Sequence, residues 1–105
     1  RVTVLAFERK EKDMSEDQNA SIEIEKHRAV IDSLDEQIVT LLNKRAKEAL
    51  DIRALKPQAQ MGLYDPKREE EIFTRLEDFN DGPMYNDDIR EIYATILKVM
   101  KEIRA

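Results

Sequence analysis

The sequence predicts an all-α chain of three helices, one long and two shorter, with more apolar helix surface than a single copy covers. Three observations lead there. Gly (2) and Pro (3) are scarce among the 105 residues, whereas all-β folds spend such residues on many turns. Charged residues make up 39% of the chain. That is well above the roughly 25% of an ordinary domain and suits long helices with solvated outer faces. Between Ser21 and Lys56 no Gly or Pro interrupts an apolar spacing of three and four.

The long helix comes first. Ser21 can cap it, and Ile22 to Lys56 follow as an unbroken run of 35 residues, about 52 Å of helix at ~1.5 Å per residue. Its stripe is Ile24, Ile31, Leu34, Ile38, Leu41, Arg45, Ala49, Ile52 and Leu55. A second set, Val30, Val39, Leu42, Ala46 and Leu50, widens the stripe, so the helix calls for more than one packing partner. A chain this short cannot cover such a helix alone, and a second copy is expected to do so.

Pro57 ends the first helix, because the residue before a proline leaves the helical region. A loop, PQAQMGLY, follows. Asp65-Pro66 then starts the second helix, with Asp as N-cap and Pro at the first helical position. This helix runs to about Asn80, with Ile72, Phe73, Leu76 and Phe79 expected inward. Asn80-Asp81-Gly82-Pro83 breaks it. Asn86 is expected to cap the third helix, whose inner face is Ile89, Ile92, Tyr93, Ile96, Val99, Met100 and Ile103.

Residues 1–20 read as an N-terminal extension, expected to be flexible, ahead of a domain at 21–105. RVTVLAF alternates like a short strand, and ERKEKDMSEDQNAS has no apolar period. Met14 stands where a natural start would. The apolar patch is shorter than a secretory h-region and charges follow at once, so a cytoplasmic chain is expected.

Composition excludes several function classes. The chain has no Cys, which removes disulfides and thiolate metal sites. With one His, an imidazole metal site would need carboxylate help. A net charge of −5 argues against a general nucleic-acid binder. No apolar run of roughly 18 residues is available to span a membrane. Nucleophile elbows and Gly-rich phosphate loops are missing as well.

What remains is a set of cations on apolar faces. Arg45 sits where the stripe calls for an apolar side chain. A guanidinium there needs either an acidic partner or an anionic ligand, unless it snorkels outward. Lys56 lies eleven residues on, about 1100° of helical turn, so the two point within ~20° of each other and ~16 Å apart. Lys56 also fits the ordinary role of a cation at a helix C-terminus. Arg28 lies seventeen residues before Arg45, roughly 100° away around the helix, so only a partner helix could bring it to the same place. Arg68 and Glu69 present a donor and an acceptor at the start of the second helix, where a Glu is also common for dipole reasons.

These residues carry a resemblance. HRAVIDSLDEQIVTLLNKRAKEALDIRALK, LYDPKREEEIF and NDGPMYNDDIREIYATIL resemble the all-helical class of chorismate mutases, over roughly residues 22–104. The most specific pieces are I-D-x-L-D, Arg45 and Lys56 at their spacing, and the D-P-x-R-E turn. The resemblance implies an intertwined helical homodimer with two active sites shared between subunits. It implies the [3,3] rearrangement of chorismate to prephenate in phenylalanine and tyrosine biosynthesis, with neither cofactor nor metal. NDGP before the last helix is similar to versions fused to, or partnered with, other aromatic-pathway enzymes.

By that resemblance Arg28 crosses to the partner's site and binds a carboxylate, while Arg45 grips one within its own chain. Lys56 matches the lysine on a carboxylate and the ether oxygen. The Asp65 backbone meets the substrate hydroxyl, Glu69 accepts from that hydroxyl, and Arg68 helps hold the anionic substrate. Met100 falls at a substrate-binding position usually held by a small hydroxyl residue. Arg104 falls where Gln or Glu usually faces the ether oxygen, a place from which a cation can donate. Alternatives from other classes stay open at this point: an isochorismate pyruvate lyase on the same scaffold, a non-catalytic effector-binding or regulatory domain, and a plain helical interaction module.

Overall fold

The computed structural model describes residues 2–59, 62 and 65–104, the first fourteen of these as backbone only. Among them are three helices: α1 (Val2–Leu55), α2 (Pro66–Phe79) and α3 (Asn86–Glu102). The chain divides into two compact units, residues 1–41 and 42–105.

Helix α1 starts at Val2, not at Ser21. The alternation in RVTVLAF suggested a strand, but no second strand is present among the described residues for it to pair with. The stretch that follows is rich in Glu, Lys and Arg and free of Gly and Pro. Its missing apolar period removes a packing face and not the propensity to be helical. In the first unit α1 keeps Ile24, Ile31, Leu34 and Ile38 about half exposed.

The second unit comprises the end of α1 with α2 and α3. Helix α1 stops at Leu55, one residue before Lys56, and residues 56–59 form a turn. Half of the expected PQAQMGLY loop (residues 60, 61, 63 and 64) lies outside the described residues. Asp65 caps α2 as its side-chain Oδ1 accepts from the Arg68 N–H at 3.0 Å. Pro66 occupies the first turn, where its missing N–H costs nothing.

Asn80 organises the turn between α2 and α3. Its Oδ1 accepts from the Gly82 N–H at 3.1 Å, while Nδ2 donates to the Met84 carbonyl at 2.8 Å and to Asn86 Oδ1 at 2.9 Å. Gly82 has φ +77°, a left-handed conformation that side chains disfavour. The N-cap of α3 is Tyr85 and not the expected Asn86, whose side-chain oxygen is engaged by Asn80. The Tyr85 N–H donates to Asp88 Oδ2 at 3.3 Å, which satisfies one donor at the helix start.

Helices α2 and α3 pack on each other as a hairpin. Ile72, Leu97 and Met100 are buried. Arg90 of α3 fastens the hairpin: Nε donates to Glu77 Oε1 at 2.8 Å and Nη2 to Glu70 Oε1 at 3.0 Å. Its guanidinium also lies 4.4 Å from the Phe73 ring centroid, an attractive cation–π geometry. The hydrogen bond to Glu70, then that to Glu77, holds the Arg90 pKa above its ordinary value.

Not every residue expected inward is inward. Phe79, the last residue of α2, is 82% exposed. Ile92 and Val99 are exposed too, while Leu97 is buried. The apolar residues of α3 cover a wider arc than one neighbouring helix can bury.

Candidate active site

The end of α1, the start of α2 and the last turns of α3 line a cleft of about 520 Å³, wholly within the second unit. α1 supplies Arg45 and, one helical face along, Ala49 and Ile52, and Lys56 follows in the turn after α1. The start of α2 supplies Asp65, Arg68 and Glu69, and α3 contributes Tyr93, Leu97, Met100 and Lys101. The α2 cap fixes the first of these groups: with the Asp65 carboxylate engaged by the Arg68 N–H, Glu69 and Arg68 are set on the first turn.

The cleft has a cationic character that the whole chain does not share. Among the described residues six cations line it: Arg45, Arg53, Lys56, Arg68, Arg75 and Lys101. Three carboxylates stand among them, Glu48, Asp65 and Glu69. The described lining thus carries more cations than carboxylates, in a chain of net charge −5. Ile52, Ile72, Leu97 and Met100 make the walls apolar, which strengthens interactions between the cations and an anion that enters. Such a cleft suits a small, multiply anionic molecule with an apolar body.

Arg45 is the cation whose surroundings bear most on the roles its position allows. It is half-buried in the lining, and among the described residues no carboxylate is paired with it. The structural ion pair that would account for a guanidinium in an apolar stripe is not made among the described residues, and its charge faces the cleft.

The other expected residues divide clearly. Arg45, Lys56, Asp65, Arg68, Glu69 and Met100 all line the one cleft. Arg28 belongs to the first unit, where it is exposed and pairs with Glu25 at 2.9 Å. Arg104 stands apart from the lining: α3 ends at Glu102, Ile103 is extended (ψ 152°), and Arg104 is exposed. The chain leaves the helix before it can present Arg104 on the face of Met100.

Sequence reasoning missed Arg53 and Lys101. Arg53 Nη1 donates to the Ile103 carbonyl at 2.6 Å, and Nη2 donates to the Met100 and Lys101 carbonyls at 2.8 and 3.1 Å. Lys101 Nζ lies 2.8 Å from Glu69 Oε1. A faint signal for Arg53 was available, since it lies three residues before Lys56 in the run that reads as one helix, and so near the same face of that expected helix.

A family model for chorismate mutase type II matches residues 27–105. The chain belongs to that family. Every lining residue of the cleft falls inside the matched segment, and residues 1–26 fall outside it. Curated relatives include the bifunctional chorismate mutase/prephenate dehydratase of Neisseria gonorrhoeae, 34% identical over 71 residues, 68% of this chain and 19% of that protein. The bifunctional enzyme of Aquifex aeolicus is 34% identical over 90 residues, 78% of this chain and 25% of that protein. The chain therefore spans about a fifth to a quarter of the length of these relatives.

Solved chorismate mutases share the fold. Form II of the Thermus thermophilus enzyme aligns with a TM-score of 0.74 at 31% identity, covering 76% of this chain and 91% of that one. The Helicobacter pylori enzyme, solved in complex with prephenate, aligns with a TM-score of 0.69 at 33% identity, covering 75% and 86%.

Proposed function

We propose that this chain is a chorismate mutase, an isomerase that converts chorismate to prephenate for phenylalanine and tyrosine biosynthesis. The observation that carries the reading is Arg45: a half-buried guanidinium with no carboxylate paired to it among the described residues, in a cationic cleft of a chain of this family. Chorismate has two carboxylates, which Arg45 and Arg68 are suited to bind. The reaction breaks the ether C–O bond and forms a C–C bond in one concerted step, so no nucleophile is needed.

The side chains act by holding and by charge. Clamping both carboxylates folds the substrate into its reactive chair and removes the entropy of reaching it. Negative charge gathers on the ether oxygen as its bond breaks. The Lys56 ammonium, aimed at that oxygen, binds it more strongly in the transition state than in the ground state, which is catalysis. Glu69 accepts from the substrate hydroxyl, the Asp65 backbone lies beside it, and Met100 packs on the ring.

The working unit in this reading is a homodimer. A second copy covers the stripe of Ile24, Ile31, Leu34 and Ile38, about half exposed in one chain, and brings its Arg28 to the site. The domain is residues 21–105, the setting is cytoplasmic, and the partner activity is another enzyme of the same pathway, fused or associated. Loss of chorismate absorbance on addition of the purified protein, abolished by Arg45→Ala with helicity retained, is the test. Absence of turnover in the unaltered protein rejects the reading. Salicylate in place of prephenate would assign a lyase.

A further inference from the structure

One ion pair in the cleft has no part in the roles assigned above. Lys101 Nζ stands 2.8 Å from Glu69 Oε1, joining the last turn of α3 to the first turn of α2. The Glu69 side chain is 26% exposed and that of Lys101 51%, so the carboxylate is the more sheltered partner. A glutamate on a helix's first turn has several rotamers open to it. A cation held on one carboxylate oxygen selects among them and leaves the other oxygen to accept a hydrogen bond. The turn that carries Lys101 is itself fixed, since Arg53 donates to the carbonyls of Met100, Lys101 and Ile103.

We infer that Lys101 is a positioning residue: it aims Glu69 so that the free carboxylate oxygen meets the substrate hydroxyl, and Arg53 holds Lys101 in reach. The inference rests on the mutase reading, in which Glu69 accepts from that hydroxyl. A merely structural surface pair would contribute little to stability and nothing to substrate affinity.

The test is steady-state turnover of chorismate by the full 105-residue chain carrying Lys101→Met, Lys101→Arg, Glu69→Gln, or Lys101→Met with Glu69→Gln. Misaiming an acceptor that binds ground and transition states alike raises KM, so Lys101→Met is expected to raise KM about tenfold with kcat within about threefold. Lys101→Arg restores most of the loss. In the Glu69→Gln background Lys101→Met has no further effect, because the two act as one unit. An unchanged KM in Lys101→Met, or effects that simply add in the double variant, overturns the inference while the mutase reading stands. An unaltered chain without turnover removes the mutase reading and this inference with it.

Discussion

Arg53 Nη2 donates to the Met100 carbonyl at 2.8 Å, tying the end of α1 to the end of α3. Two further bonds from the same guanidinium reach the Lys101 and Ile103 carbonyls. The last carbonyls of a helix have no partner within it and carry the negative end of the dipole. One planar cation thus satisfies three acceptors that water would otherwise take, on the turn that carries Met100 and Lys101 into the cleft.

Removing that clamp is expected to cost stability. Arg53→Ala should lower the unfolding free energy by about 1–2 kcal/mol, read from the urea midpoint. Amide exchange should quicken first at the end of α3. Arg53→Lys, a single point charge, should recover only part of the loss.

Arg45 should separate activity from stability. With no paired carboxylate among the described residues and five further cations in the cleft lining, its charge adds repulsion to the empty fold. Arg45→Ala should leave the melting temperature unchanged or raise it. Turnover should fall by roughly a hundredfold or more, the scale for losing one preorganised charge partner of a transition state. A large drop in stability with that substitution would mean the guanidinium has a structural partner after all.

Asp65 should behave as a cap. Asp65→Ala removes the acceptor of the Arg68 N–H and should cost about 1 kcal/mol. Asp65→Asn caps about as well and should be close to neutral in thermal unfolding.

The α1 stripe should drive association. Leu34 is 48% exposed and Ile38 53% exposed in the single chain. Ile38→Glu places a charge on the surface that a second copy would cover. Light scattering should give twice the chain mass for the unaltered protein and the single mass for the variant.

Local signals in the sequence carried the second unit far. The Asp65-Pro66 start of α2 is where the cap chemistry puts it, and the break at Asn80 to Pro83 follows from Gly82 and Pro83. The spacing of Arg45 and Lys56 on one helix face, with Arg68 and Glu69 beyond the loop, named residues that line one cleft. What the sequence hid is nonlocal. Arg53 and the carbonyls it holds are 47 to 50 residues apart, and a cation near a helix end looks ordinary in one dimension. Lys101 was passed over for the same reason. Arg104 was read on a helix that ends at Glu102, and helix ends are set by competing caps within a residue or two. Phe79, Ile92 and Val99 are apolar and exposed in one chain; their pattern records surface to be buried, and not which molecule buries it.

The most direct measurement is complementation between Arg28→Ala and Arg45→Ala chains, co-expressed with different tags and assayed for chorismate loss. Each variant alone should be inert. In a mixed dimer one site keeps Arg45 from one chain and Arg28 from the other, while the second site lacks both. Random assortment should then return about a quarter of the unaltered turnover per chain, one intact site in half of the dimers. A mixture as inert as either variant, beside an active unaltered protein, would contradict a site built from two subunits.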